Sequence, residues 1–359
     1  MDRHQLNAAY CIKCIWIIIS LFSYLVDSWS FHMYHNFMLT GPKAHIAMAD
    51  SVAAGALTGV KECKYQFKWD RWNCPEHTLF KRNGPRANKE HSFVHAISSA
   101  GVMYIITRNC SQGDFDNCNC DVSRDGKFTF QENGVKWKWG GCSDNVIFGE
   151  QISEQFLDAL ETTKDSRATV IRHNNAVGRS AVYKTLIMRC KCQGVSGACT
   201  MKTCWRQLSE FRKVGEYLKK RYKRSIKVEF FEGELSNGAR TVPKIVPSND
   251  ISRADLVYLD KSPDYCTFND TLGNRGTEGR ECRRPKKGDN PFDKHAKGSC
   301  RRLCSACNLA VEKKPVEISE RCNCKFHWCC EVKCDQCVEN VEKLTCVRKE
   351  KKVRKEPES

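Results

Sequence analysis

The chain has 359 residues, room for two domains, and its 59 lysines and arginines outweigh 42 aspartates and glutamates for a formal charge of +17. A charge of that sign and size points to acidic partners. The 24 cysteines are the usage of an exported, disulfide-bonded protein, which makes those partners sulfated glycans and anionic cell surfaces and excludes nucleic acid.

At the N-terminus Arg3 and Lys13 precede an apolar run from Ile15 to Val26, followed by Ser28-Trp29-Ser30. Those flanks are those of a secretory signal peptide over residues 1–30. The alternative, a membrane anchor, needs about 20 apolar residues, and the run has 12. Losing Cys11 and Cys14 with the leader leaves 22 cysteines, an even number that eleven disulfides would use up. Two sequons, Asn109-Cys110-Ser111 and Asn269-Asp270-Thr271, mark Asn109 and Asn269 as candidate N-glycosylation sites.

Helical spacing of apolar residues predicts three helices in the N-terminal half. The stripes are Phe93, Ile97, Ala100 and Tyr104; then Ile152, Phe156 and Leu160; then Leu208, Phe211, Gly215, Leu218 and Tyr222. All three suit one helical core. Ten cysteines fall between Cys63 and Cys204, none from there to Cys266, and twelve between Cys266 and Cys346, so the gap marks a domain boundary. Polar, turn-rich sequence from Glu232 to Ser262 reads as a linker ending in a strand, Asp255 to Leu259. The cysteine-dense region beyond it has little room for an apolar core and relies on cross-links worth typically ~2 to 4 kcal/mol each. The lysine- and arginine-rich end, 348–359, reads as a tail.

Each half carries a nested cysteine hairpin. Between Cys190 and Cys204 the cysteines nest as Cys190 with Cys204 and Cys192 with Cys199, and residues two apart on a strand share a face, so both bridges can rung one hairpin. Its tip holds Ser196 between Gly194 and Gly197, where glycine permits a tight turn and leaves the hydroxyl exposed. Between Cys322 and Cys337 the nesting is Cys322 with Cys337 and Cys324 with Cys334, leaving Cys329 and Cys330 with no evident partner but each other. Phe326 and Trp328 sit at that tip and read either as an interface hot spot or as side chains packed back on the domain.

Taken together these segments resemble the Wnt family over essentially the whole mature chain. The resemblance rests on Arg71-Trp-Asn-Cys-Pro75, Trp139-Gly-Gly-Cys-Ser-Asp-Asn145, Cys190-Lys-Cys-Gln-Gly-Val-Ser-Gly-Ala-Cys199, Pro263-Asp-Tyr-Cys266, Gly276-Thr-Glu-Gly-Arg280 and Cys324-Lys-Phe-His-Trp-Cys-Cys330. His95-Ala-Ile-Ser-Ser-Ala-Gly-Val-Met-Tyr104 is most similar to the eighth vertebrate subgroup. The resemblance implies a disulfide-rich α+β fold: a helical N-terminal domain over 31–231, a linker over 232–262, and a cystine-knot-like domain of β-hairpins over 263–347. It implies a secreted ligand of the extracellular space and matrix, active in development and cell-fate specification, with no cofactor or metal. Ser196 matches the thumb-tip serine that carries an O-linked palmitoleate, added by the acyltransferase Porcupine and shielded in export by the carrier Wntless. Phe326, Trp328, Cys329, Cys330 and Val332 match an index finger, and the two tips would grip the cysteine-rich domain of a Frizzled receptor. An LDL-receptor-related co-receptor would join the complex and stabilise β-catenin.

The implied pairings add Cys63 with Cys74, Cys110 with Cys118, Cys120 with Cys142, Cys266 with Cys307, Cys282 with Cys300, Cys304 with Cys346, and Cys329 with Cys330. Two features depart from the family. Gln193 stands where the family usually has His, and Lys127 to Trp139 is longer than usual inside the Cys120 to Cys142 loop. Two rival readings remain: zinc at Cys304-x-x-Cys307 and Cys334-x-x-Cys337, and an esterase using Ser196, with His173 and His327 as available bases, although Ala198 breaks the G-x-S-x-G pattern. The basic runs Lys219 to Arg224 and Arg348 to Lys355 fit heparan sulfate as well as a solvated helix face and tail.

Overall fold

The computed structural model describes residues 42–75, 87–116, 118–130, 136–159, 161, 165–195, 198–199, 201–231, 234–237, 251–270, 274–284, 299–328 and 330–349. The leader, Leu160, most of the linker, Ser196, Cys329 and the tail beyond 349 lie outside them. Five long helices are described: α1 (Pro42–Phe67), α2 (Lys89–Gln112), α3 (Val146–Asp158), α4 (Ser166–Lys184) and α5 (Phe211–Lys223). The chain divides into two compact units.

The larger unit comprises 55–104, 150–187 and 208–359. Its core is built on α2, whose Phe93, Ile97 and Ala100 are fully buried as their spacing predicts. Phe67 of α1 meets Phe93, Trp72 and Tyr222 edge-on, with ring centroids 4.9, 4.7 and 4.9 Å away. Edge-to-face pairs add to the burial of the rings themselves. Helices approach so closely that a Cβ on Gly55 would stand 2.5 Å from Val102 Cα, and one on Gly178 would meet the Ala96 carbonyl. Glycine here serves packing.

Two of these helices carry no apolar period that the sequence reading picked out. In α1 the close face includes Gly55 and Gly59. In α4 the buried face includes Asn174, Asn175 and Arg179. Asp165 caps α4 by accepting from Ala168 N at 2.8 Å. The α3 stripe also differs from expectation: Phe156 is 41% exposed, and Val146, Gly149 and Ser153 are the buried residues. Ser153 donates to Ser99 O at 3.1 Å, so a hydroxyl takes the inward position.

After α5 the chain forms β5 (Ile226–Phe231), β6 (Glu234–Asn237) and β7 (Val257–Tyr258) in the order β6-β5-β7. The strand expected over 255–259 is thus a two-residue parallel partner of β5, pinned by Asn174, whose Nδ2 donates to Val257 O at 2.9 Å and whose Oδ1 accepts from Val257 N at 3.0 Å. The last sheet is strand-rich and small: β8 (Glu281–Cys282), β10 (Glu331–Val347) and β9 (Ala310–His327), in that order. Its core is Cys282, Cys300, Leu303, Cys304 and Cys346, mostly cystine.

The smaller unit comprises 42–54 of α1, 105–149 and 188–207 among the described residues. It holds a four-stranded sheet of β1 (Phe128–Phe130), β2 (Lys136–Trp139), β4 (Lys202–Gln207) and β3 (Ile187–Cys192), ordered β1-β2-β4-β3. The Lys127 to Trp139 stretch, read as an anomaly, supplies the first two strands: Trp139 N donates to Lys127 O at 2.9 Å and Gly126 N to Trp139 O at 2.9 Å. That closes the loop and brings Cys120 and Cys142 into a bridge with a Cα separation of 5.0 Å.

Candidate receptor-binding hairpins

Ten disulfides join the described residues, and they are the ten with both cysteines described. Cys63–Cys74, Cys110–Cys118, Cys120–Cys142, Cys190–Cys204 and Cys192–Cys199 serve the N-terminal half. Cys266–Cys307, Cys282–Cys300, Cys304–Cys346, Cys322–Cys337 and Cys324–Cys334 serve the C-terminal half. Both C-x-x-C segments are therefore spent on disulfides, as are the clustered Cys282, Cys304 and Cys346, and none offers the thiolate that zinc requires. The eleventh expected bridge, Cys329 with Cys330, falls on Cys329, which lies outside the described residues, and Cys330 is exposed at the tip.

The first hairpin rises from the four-stranded sheet. Its strand β4 runs parallel to β2, with Trp139 opposite Cys204, and both of those residues are buried. Gly140 N donates to Cys204 O at 3.1 Å, and Gly141, at φ 86°, lies with its missing Cβ 3.5 Å from the Trp205 ring. The Trp-Gly-Gly-Cys motif is thus the seat of this hairpin. Beyond the second bridge Gln193 N donates to Met201 O at 2.7 Å. Val195 is 92% exposed beside Ser196, which lies outside the described residues. The segment lies between the strands β3 and β4, which is not the strand-turn-helix setting an esterase elbow needs.

The second hairpin is β9 and β10, paired from Ala310 with Val347 out to His327 with Glu331. Near the tip the register shifts between Lys333 and Asp335, and Asn323 and Cys330 take φ of 48° and 73°. Phe326 and Val332 are cross-strand partners, 69% and 60% exposed, and Trp328 is 95% exposed. The alternative in which the aromatics pack back is excluded.

Three contacts that sequence reasoning missed fix the base of this half. Glu90 of α2 accepts from Tyr222 at 3.0 Å, from Ser262 at 2.7 Å and from Tyr265 at 2.9 Å. Burial, and then the Glu90 charge, push both tyrosine hydroxyls well above their ordinary range. Arg280 donates to the carbonyls of Arg71 and Lys68, joining the Gly276-to-Arg280 motif to the Arg71-to-Pro75 motif. His173 is likewise engaged, its Nε2 2.8 Å from Asp255 O.

The basic run on α5 is only half a surface. Lys219 is buried, 2.6 Å from Asp70 and over the Phe67 ring, and desolvation pulls its pKa down to about 8. Arg221 pairs with Asp255 at 3.1 Å, leaving Lys220, Lys223 and Arg224 exposed. Of the sequons, Asn109 is half-buried with its amide on Ser51 Oγ at 2.8 Å, while Asn269 sits in a turn bridged to Asn274.

A disulfide-braced scaffold that holds out two laddered hairpins, one ending in bare aromatics, belongs to the class of extracellular binding ligands. The chain belongs to the Wnt family, whose model matches residues 39–347. It is 56% identical to Protein Wnt-8b of Danio rerio, over 89% of this chain and 88% of that one. It is 54% identical to Protein Wnt-8b of Homo sapiens, over 91% of each. Among solved structures it resembles human WLS in complex with WNT8A, with a TM-score of 0.62 and 48% identity, covering 87% of this chain and 99% of that chain.

Proposed function

We propose that this Wnt ligand is secreted with an O-palmitoleoyl group on Ser196 and binds the Frizzled cysteine-rich domain through that lipid and through Phe326, Trp328 and Val332. The observation that carries the reading is the exposed aromatic tip on a hairpin braced by Cys322–Cys337 and Cys324–Cys334, since aromatics held in water are characteristic of interface hot spots. Cys329 and Cys330 belong to the same tip. The acyl chain offers on the order of 10 kcal/mol of gross apolar burial at ~0.8 kcal/mol per methylene. Such a chain must be shielded in transit. Porcupine would attach it and Wntless would carry it, a reading supported by the likeness to a Wnt seen with WLS. An LDL-receptor-related co-receptor then completes the complex that stabilises β-catenin, with heparan sulfate as an extracellular-matrix partner and N-glycans on Asn109 and Asn269.

The test is mass spectrometry of the Ser196 peptide from secreted protein that binds immobilised Frizzled cysteine-rich domain. A palmitoleoyl adduct is expected, and an unmodified serine in binding-competent protein overturns the proposal.

A further inference from the structure

The sheet beneath the first hairpin has a one-sided charge pattern that the proposed receptor contacts do not include. Its four strands read FTF, KWKW, IMRCKC and KTCWRQ, six lysines and arginines with no carboxylate. The two faces are unlike. Strand residues alternate between faces, and Trp139 and Cys204, opposite each other, are buried on one. Cys190, itself exposed on the edge strand β3, shares that face through its bridge to Cys204, so Arg189 and Lys191 lie on the other. There they join Lys138 and its partners, Thr203 on β4 and Phe128 on β1. Arg189, Lys191, Lys138 and Phe128 are exposed.

The three cations form a two-dimensional array. Arg189 and Lys191 are two residues apart on β3, roughly 7 Å, and Lys138 lies two strands across, roughly 10 Å. A triangle spread over one sheet face suits a charged surface better than a single polyanion chain. The same β3 leads directly to Val195 and the expected acyl site at Ser196. One acyl chain is a marginal membrane anchor, and stable attachment takes a second element such as a basic patch.

We propose that the Lys138, Arg189 and Lys191 face docks on an anionic lipid surface and acts with the Ser196 acyl chain as a two-part membrane attachment. The inference rests on the acylated-Ser196 reading. It assigns to the sheet the task of holding the ligand on a bilayer when the lipid is not in a receptor.

The experiment uses secreted, full-length protein and two vesicle types, phosphatidylcholine alone and phosphatidylcholine with phosphatidylserine. The variant K138Q/R189Q/K191Q should bind neutral vesicles as the parent does and lose on the order of 100-fold on anionic ones, about 1 kcal/mol per cation. A control of equal charge, K220Q/K223Q/R224Q on α5, should leave the anionic preference within about 2-fold, because its residues lie off this sheet. Equal losses from both variants would make the effect one of net charge and overturn the assignment. Undiminished vesicle binding with weakened heparin elution would overturn it in favour of a sulfated glycan. Ser196→Ala separates the underlying reading: it should weaken binding to both vesicle types by a similar factor and so keep the anionic-to-neutral ratio. Neutral binding that survives Ser196→Ala defeats acylation as the anchor, and the ratio still judges the basic face.

Discussion

The two hairpins solve one problem, presenting a tip in water, by different means. The first is short and seated: β4 is an inner strand, Cys204 is buried, and Trp139 backs it. The second is long and, among the described residues, supported by a third strand only near its base, where β8 pairs with Leu344 and Thr345 and Gly279 and Arg280 bond to Cys346. An isolated two-stranded ribbon is marginally stable in water, so the bridges Cys322–Cys337 and Cys324–Cys334 must supply what a third strand supplies elsewhere. Packing positions one tip and covalent cross-links position the other.

Ser196→Ala should have the largest effect, removing receptor binding by at least about 100-fold if the acyl chain supplies most of the grip. Binding to immobilised Frizzled domain measures it. Next, replacing Cys324 and Cys334 by alanine should open the second tip to limited proteolysis with a local cost of about 2 to 4 kcal/mol, while the melting of the helical core stays put. A protected tip would show that the bridges are not what holds it. Trp328→Ala should weaken receptor binding by roughly 30-fold, the order of a 2 kcal/mol hot spot, without changing thermal stability, because the side chain has no packing to lose.

The smallest effect is a pH dependence in the helical half, and it tests the claim that packing rules there. Lys219 has a folded pKa lowered to about 8, so the unfolded chain binds more protons above that pH and stability rises from about 8 towards the unfolded lysine value. Tyr222 and Tyr265 are raised, so above about 10 the unfolded tyrosines ionise first and stability falls. Denaturation across this range should rise and then fall. Lys219→Met should remove the rise and Tyr265→Phe should reduce the fall.

The sequence made the extended parts most legible, because cysteine nesting and motif order carry pairing information directly. Four bridges follow from the nesting of the two hairpins, and six more from the resemblance to the Wnt family. The helices of the core were legible only where their buried faces are apolar. α1 escaped because its contact face includes glycine, and α4 because Asn174 and Arg179 replace apolar residues and are satisfied by Val257 and Asp158. The α5 basic run misled for the opposite reason. Its composition is that of a surface, yet Lys219 turns inward to Asp70. The Glu90 hub was invisible because its partners lie far along the chain, at Tyr222, Ser262 and Tyr265.

The β9 edge has a consequence for how this protein survives at high concentration. Among the described residues β9 is the outer strand of its sheet over 18 residues, a row of backbone donors and acceptors that another strand could pair with. Such a rail would ordinarily template polymerisation. It is guarded by charges of both signs, Glu312, Lys313, Lys314, Glu317, Glu320 and Arg321, and interrupted by Pro315, which has no amide hydrogen to offer. The charges that leave this ribbon looking featureless work against its pairing, edge to edge, with a second copy of itself.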